Sequence, residues 1–98
     1  MPEVRLTERA QDDFLDIWDY IYERNHVFVA DQMVDRIKET TTKYARFPQM
    51  GRPRPELKPT LRSFPVSSFV VYYRPISTGI LIDRILHAAQ DIDTEFSE

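Results

Sequence analysis

Apolar side chains recur at intervals of three and four as far as Tyr44, take strand-like spacing beyond Leu61, and are divided by a proline-rich stretch between the two regimes. A helical period does not settle as a strand, nor a strand period as a helix, so this chain builds helices first and a sheet afterwards. In the first half, Ala10, Phe14, Ile17, Trp18 and Ile21 fall on one side of a helical wheel, with Asp12, Asp16, Asp19 and Glu23 in a narrow stripe opposite. One face is core and the other is wet. A short strand at 4–6 precedes this helix, and Thr7 stands where an N-cap belongs, its hydroxyl able to accept from a free amide of the first turn. Asn25 and His26 interrupt the pattern; both tolerate left-handed backbone better than most non-glycine residues, which predicts a C-cap and a tight turn. Ala30, Met33, Val34, Ile37, Thr41 and Tyr44 then repeat the helical spacing. Pro48 sets the latest end of the second helix, because a residue before proline is pushed out of the helical region. Two amphipathic helices on a short turn make an antiparallel hairpin.

Five of the seven prolines lie between 48 and 65, so 48–60 reads as a stiff, mostly extended connection with few ladder donors. Strand signals follow at 61–66, 69–74 and 80–87, the last two separated by the turn cluster Pro75, Ser77, Thr78 and Gly79. The order β-α-α-β-β-β predicts an α+β fold, a single domain over 1–98 with the helical hairpin on one face of a small antiparallel twisted sheet. The tail at 88–98 has no clear period; Asp91, Asp93 and Glu95 either open a short helix or stay solvated.

Charge is divided along the chain. The formal net charge is −3, yet residues 43–62 hold six basic side chains against Glu56 alone, between acidic ends. With no cysteine, disulfides and thiolate zinc sites are excluded, which fits a reducing cytoplasm. Apolar runs reach only five residues, against the roughly 20 that a membrane helix requires, and Met1 is followed by no charged-then-apolar leader. The expectation is a soluble, unexported protein.

Few side chains carry catalytic signals. His26 and His87 sit on different elements, so no transition-metal site is expected, and Gly51 and Gly79 alone cannot build a phosphate-cradling loop. No cofactor is expected. The stripe Asp12, Asp16, Asp19, Glu23 reads as a solvated helix face, since two-metal sites gather carboxylates from several elements. His87, at the end of the last strand, is a candidate for proton transfer near neutrality, although a lone histidine there is more often structural, and Arg84, three residues earlier, points to the opposite face of an extended strand. There remain Arg52, Arg54, Lys58, Arg62, Arg74 and Arg84. With Phe64, Phe69, Tyr72 and Tyr73 nearby they suit nucleic-acid phosphates and bases, and they suit an acidic protein partner equally.

Longer motifs resolve that fork by likeness. "RAQDDFLDIWDYIYERN", "FPQMGRPRPEL", "LRSFPVSSFVVYYRP" and "GILIDRILHAAQDI" resemble the ParE branch of the RelE/ParE toxins of type II toxin–antitoxin modules, plasmid stabilisation proteins among them, over residues 4–93. The resemblance implies the fold already derived. It also implies a ParD-like antitoxin whose flexible C-terminal segment folds on the toxin, a 2:2 assembly, and DNA gyrase as the target, poisoned by binding with no catalysis and no sequence-specific nucleic-acid contact. RelE-type relatives cleave ribosome-bound messenger RNA instead, using basic residues on the third strand and after the last, and a tyrosine near the C-terminus. The matching positions here are Val70, Ala88, Ala89 and the Glu95/Phe96 region, and none can stabilise a developing anion.

Three departures from the ParE pattern stand out. His26 and Ser67 occupy positions where the family commonly has glycine, each at a cost of about 1 kcal/mol or less if φ is positive. Ala88–Ala89–Gln90 replaces a glycine followed by polar or basic residues, which leaves room for a degenerate toxin that only binds its antitoxin. Within this likeness, Arg52, Arg54, Lys58, Arg62, Arg74 and Arg84 are expected to form the positive surface that the antitoxin or target covers.

Overall fold

The computed structural model describes residues 2–90 and 92–96. Helix α1 spans Glu8–Arg24 and α2 spans Val27–Arg46, where the spacing of three and four places them. Thr7 caps α1 by accepting from the Ala10 N–H at 3.1 Å, and its hydroxyl donates to the Asp83 carbonyl at 2.9 Å, so one side chain starts the helix and ties it to the sheet. The turn between the helices is not left-handed: Asn25 has φ −135° and His26 φ −137°. His26 instead caps α2, its ring Nδ1 accepting from the Phe28 N–H at 3.1 Å. A ring nitrogen here takes the part of an Asn or Asp oxygen, and the expected backbone penalty at this residue does not arise. Ser67 is different, with φ 56° in the tight turn between two strands.

The sheet has five strands in the order β1-β5-β4-β3-β2. β3 (Arg62–Val66), β4 (Phe69–Ile76) and β5 (Gly79–His87) pair antiparallel as expected, and the connection adds a short strand that the sequence reading did not foresee, β2 (Arg52–Pro53), antiparallel to β3. β1 (Glu3–Leu6) departs from that pattern by pairing parallel to β5, Val4 opposite Ile80 and Leu6 opposite Ile82. Parallel strands need a long connection: the helical hairpin carries the chain to the far edge of the sheet, and β2, β3 and β4 bring it back to β5 beside β1. Gly79 permits the pairing, because a Cβ there would collide with the Glu3 carbonyl.

Side chains alternate across the sheet and build a core on each face. Ala10, Ile17, Ile37 and Ala45 from the helices meet Phe64, Val71, Tyr73, Ile82 and Ile85 on one side. Tyr44 stacks on Phe64 at 4.0 Å between ring centroids, and the buried Tyr73 hydroxyl donates to the Pro48 carbonyl at 2.6 Å and accepts from the Gly51 N–H at 3.0 Å. That hydroxyl fixes the proline-rich segment against the sheet. Leu61, Tyr72 and Leu86 form the second, smaller core, covered by Leu57 from the loop and by Ile92 and Phe96 of α3 (Ile92–Phe96). The tail therefore takes the short-helix alternative; Asp91, named as a starting residue for it, lies outside the described residues.

Candidate functional site

The basic side chains singled out by sequence lie on all four antiparallel strands and on the loop between β2 and β3, with His87 at the end of β5. Arg52 and Lys58 project outward and have no ion-pair partner among the described residues, although the Lys58 ammonium lies 5.8 Å from the centre of the Phe96 ring. Arg54 donates to Glu56 at 2.8 Å and to the Ser63 hydroxyl at 3.3 Å. Its hydrogen bond to Glu56 raises the Arg54 pKa and holds the Glu56 carboxyl below its ordinary value. Arg62 donates to the Gln49 and Gly51 carbonyls at 2.8 and 2.7 Å, closing the single 3-10 turn at Pro48–Met50. It works as a backbone staple.

Two further arginines are held in forks. Arg74 grips Asp83 with bonds of 2.8 and 2.9 Å, and this carboxylate raises the arginine's pKa. Arg84 is buried, grips Asp13 of α1 at 2.8 and 3.1 Å, and reaches Glu95 of α3 at 3.0 Å. Hydrogen bonding to Asp13 is the first cause of its raised pKa. Asp13 also accepts from the Ile85 N–H at 2.9 Å. The reason is topological: β1 pairs only as far as Ile82, so the rest of the β5 edge would carry open amides if α1 did not supply an acceptor. Gln90 does the same for the next outward amide, its Oε1 accepting from the His87 N–H at 2.7 Å.

His87 belongs to this edge. Its Nδ1 accepts from the Ala89 N–H at 3.2 Å and its ring stands edge-on to Phe69, 5.5 Å between centroids. The side chain thus shapes the turn that follows β5. Beside it lies a cleft of about 580 Å³ between α1 and β5, lined by Asp16, Tyr20, Phe69, Arg84 and His87 among others. Arg84 and His87 share this cleft despite their alternation on the strand, because the uncovered edge lets the arginine reach around to α1. A second cavity of about 280 Å³ places Lys58 beside Arg84, Glu95 and Phe96. The structure thus brings Lys58 near Arg84 and gives Arg54, Arg62, Arg74 and Arg84 internal partners.

Asp13 escaped the sequence reading. Its signal was present: it sits three residues after Ala10 and four before Ile17, an acid on the apolar face of the helix, where an unpaired carboxylate would be costly.

These features define a small α+β domain: a helical hairpin on one sheet face, a proline-stiffened basic loop and short helix on the other, and among the described residues no cluster suited to hold a metal ion. Comparison with known proteins gives the class a family. The family model for the ParE toxin of the type II toxin–antitoxin system, parDE, matches residues 4–92. Toxin ParE3 of Caulobacter vibrioides is 30% identical over 98 residues, spanning 100% of this chain and 98% of that protein. Toxin ParE1 of Mycobacterium tuberculosis is 30% identical over 89 residues, covering 90% of this chain and 91% of the relative. A solved structure of a chromosomal ParDE system from P. aeruginosa superposes with a TM-score of 0.75 at 24% identity, over 89% of this chain and 96% of that one, a likeness of fold. The chain belongs to the ParE toxin family of type II toxin–antitoxin systems.

Proposed function

We propose that this chain is the toxin of its module, silenced by a cognate ParD-like antitoxin in a 2:2 assembly and, once freed in the cytoplasm, poisoning DNA gyrase by binding, with no bond made or broken by its own side chains. The observation that carries the reading lies at the positions a RelE-type ribonuclease would need for its cations. Val70 is half-buried on the sheet, Ala88 and Ala89 occupy an exposed turn, and Glu95 and Phe96 lie on α3. Apolar and anionic groups cannot stabilise phosphorane charge. His87 commits its Nδ1 to the Ala89 amide, which leaves one ring nitrogen for any proton transfer.

For the antitoxin, the outward Arg52 and Lys58 supply the electrostatic attraction, and prolines 53, 55 and 59 reduce the entropy lost when the loop is fixed in a complex. The deciding experiment presents the purified chain to gyrase supercoiling and to ribosome-bound message, with and without antitoxin. Inhibition of supercoiling that the antitoxin relieves, with message intact, supports the proposal. Codon-defined cleavage of message with supercoiling untouched overturns it, and complex formation without either effect reduces the chain to an antitoxin-binding module.

A further inference from the structure

Three consecutive threonines on α2 differ in what their hydroxyls do. Thr40 and Thr42 each donate back to the helix, to the Arg36 carbonyl at 2.9 Å and to the Lys38 carbonyl at 3.0 Å. Thr41, between them, is only 3% exposed, and its Oγ1 is the one buried side-chain polar atom among the described residues with no hydrogen-bond partner. A hydroxyl unpaired away from water is costly, and its neighbours show that the helix offers such a group a carbonyl four residues back. Thr41 leaves that offer unused.

Thr41 lines a cleft of about 390 Å³ where the two helices pass over β1, the edge strand of the sheet. Val4 and Leu6 of β1, Phe14 of α1 and the buried Ile82 of β5 are its apolar walls. Val4 and Leu6 share one face of β1 by alternation, and β1 has a strand on one side only, so this corner of the helix–sheet interface is not closed by another element. Lys38 is the one charged residue on the lining; it is exposed and has no ion-pair partner among the described residues. Being three apart on α2, Lys38 and Thr41 are neighbours on one helix face, the first exposed and the second inside.

Apolar walls with a few polar groups at one place are the make-up of a small-ligand site, and the volume falls within the range of about 300–1,000 Å³ for such sites. The polar groups select the ligand. An ammonium and a hydroxyl free to donate suit one carboxylate, whereas a doubly charged phosphate would meet a single cation. A docked helix, about 10–12 Å across with its side chains, would have to lie outside the cleft.

We infer that the cleft between β1, α1 and α2 binds a small amphiphile of the medium-chain fatty-acid class. The alkyl chain lies among Val4, Leu6, Phe14 and Ile82, and the carboxylate accepts from the Thr41 hydroxyl and the Lys38 ammonium. The site uses no residue of the basic loop, so the inference stands apart from the antitoxin and gyrase assignments.

The probe is decanoate, kept below its micellar concentration and titrated into the intact chain while backbone amide NMR shifts and the melting temperature are followed. Saturable shifts centred on Val4, Leu6, Phe14 and Thr41 are expected, and the melting temperature should rise with ligand, as linkage requires of a molecule that binds the native state. Thr41→Val keeps the shape and removes the unpaired hydroxyl. It should leave the melting temperature of the free chain unchanged or higher while weakening decanoate about fivefold or more. Lys38→Gln, at an exposed position, should weaken it about as much and flatten its salt dependence. Decyltrimethylammonium, with the same chain and the opposite charge, should not bind the cleft. Binding equal to wild type in either variant overturns the inference, as do equal shifts with the cationic amphiphile, a melting temperature that falls on titration, or no saturable shift up to millimolar decanoate. Tighter binding of a short leucine-ended peptide, or a dimer of the chain that decanoate dissociates, gives the cleft to another occupant and overturns it too.

Discussion

Replacing Asp13 by alanine tests how the open edge of β5 is held. The substitution removes three hydrogen bonds at once, two from the Arg84 guanidinium and one from the Ile85 N–H. It leaves Arg84 buried with Glu95 as its remaining acidic partner. Removing one member of a buried ion pair costs about 3–5 kcal/mol, because the other charge stays in a poor solvent. An orphaned backbone amide costs about 1–3 kcal/mol by itself, and since water can relieve part of both losses the two do not add in full. The expected loss is therefore about 4 kcal/mol, a large share of the roughly 5–15 kcal/mol that stabilises a domain. For a chain of this size that corresponds to a fall in melting temperature of about 16–32 °C.

Urea and thermal unfolding followed by circular dichroism measure it. The double variant Asp13→Ala with Arg84→Met should recover about half or more of the loss, since it removes the stranded buried charge and leaves the unpaired amide and a partly exposed Glu95 that water can solvate. A single-variant loss below about 1 kcal/mol, or a double variant no better than the single, refutes the reasoning. The double variant also separates roles: antitoxin affinity retained in a refolded Asp13→Ala/Arg84→Met chain assigns Arg84 to structure alone.

Other consequences are simpler to check. Ser67→Gly should stabilise the chain by up to about 1 kcal/mol, read as a higher urea midpoint at unchanged slope, because φ there is positive; His26→Gly should destabilise it by losing the α2 cap. Tyr73→Phe should cost about 1–3 kcal/mol at neutral pH by leaving the Pro48 carbonyl and Gly51 amide without their partner. Burial raises the Tyr73 pKa above its ordinary 10.0, so its contribution is complete below that value and is lost as pH climbs through the folded-state value; the wild type should therefore lose stability above about pH 10 more steeply than Tyr73→Phe in urea melts taken across the alkaline range. Charge reversal at Arg52 and Lys58 should slow antitoxin association about tenfold at low salt with little change in dissociation, and should flatten its salt dependence in stopped-flow measurements.

Local periodicity and capping chemistry were legible without coordinates. Ala10, Ile17 and Ile21 marked the buried side of α1, Thr7 its start, and the turn residues before Ile80 the last hairpin. What stayed hidden depends on contacts between distant parts of the chain. The parallel pairing of β1 rests on Gly79 lying against Glu3, a fact of register that no local pattern carries. The basic side chains showed the same limit: sequence counts six cations, but only tertiary structure puts a carbonyl or carboxylate beside Arg62, Arg74 and Arg84. At the helix turn, the reading weighed backbone freedom and missed that an imidazole nitrogen accepts a hydrogen bond as an Asn oxygen does. The wheel placed Trp18 on the core side, where it packs, whereas the exposure of Tyr20 and Tyr22 emerged only once the hairpin was packed.

The central claim is that the chain acts through its surface, and stoichiometry tests it most directly. Limiting amounts of the purified protein are added to excess gyrase on supercoiled DNA, and arrested enzyme is counted against toxin supplied. The account predicts a plateau proportional to toxin, unchanged by His87→Ala and abolished by equimolar antitoxin. A small amount of toxin that disables a large excess of target, with the effect lost on replacing His87, would mean catalytic turnover and contradict the account.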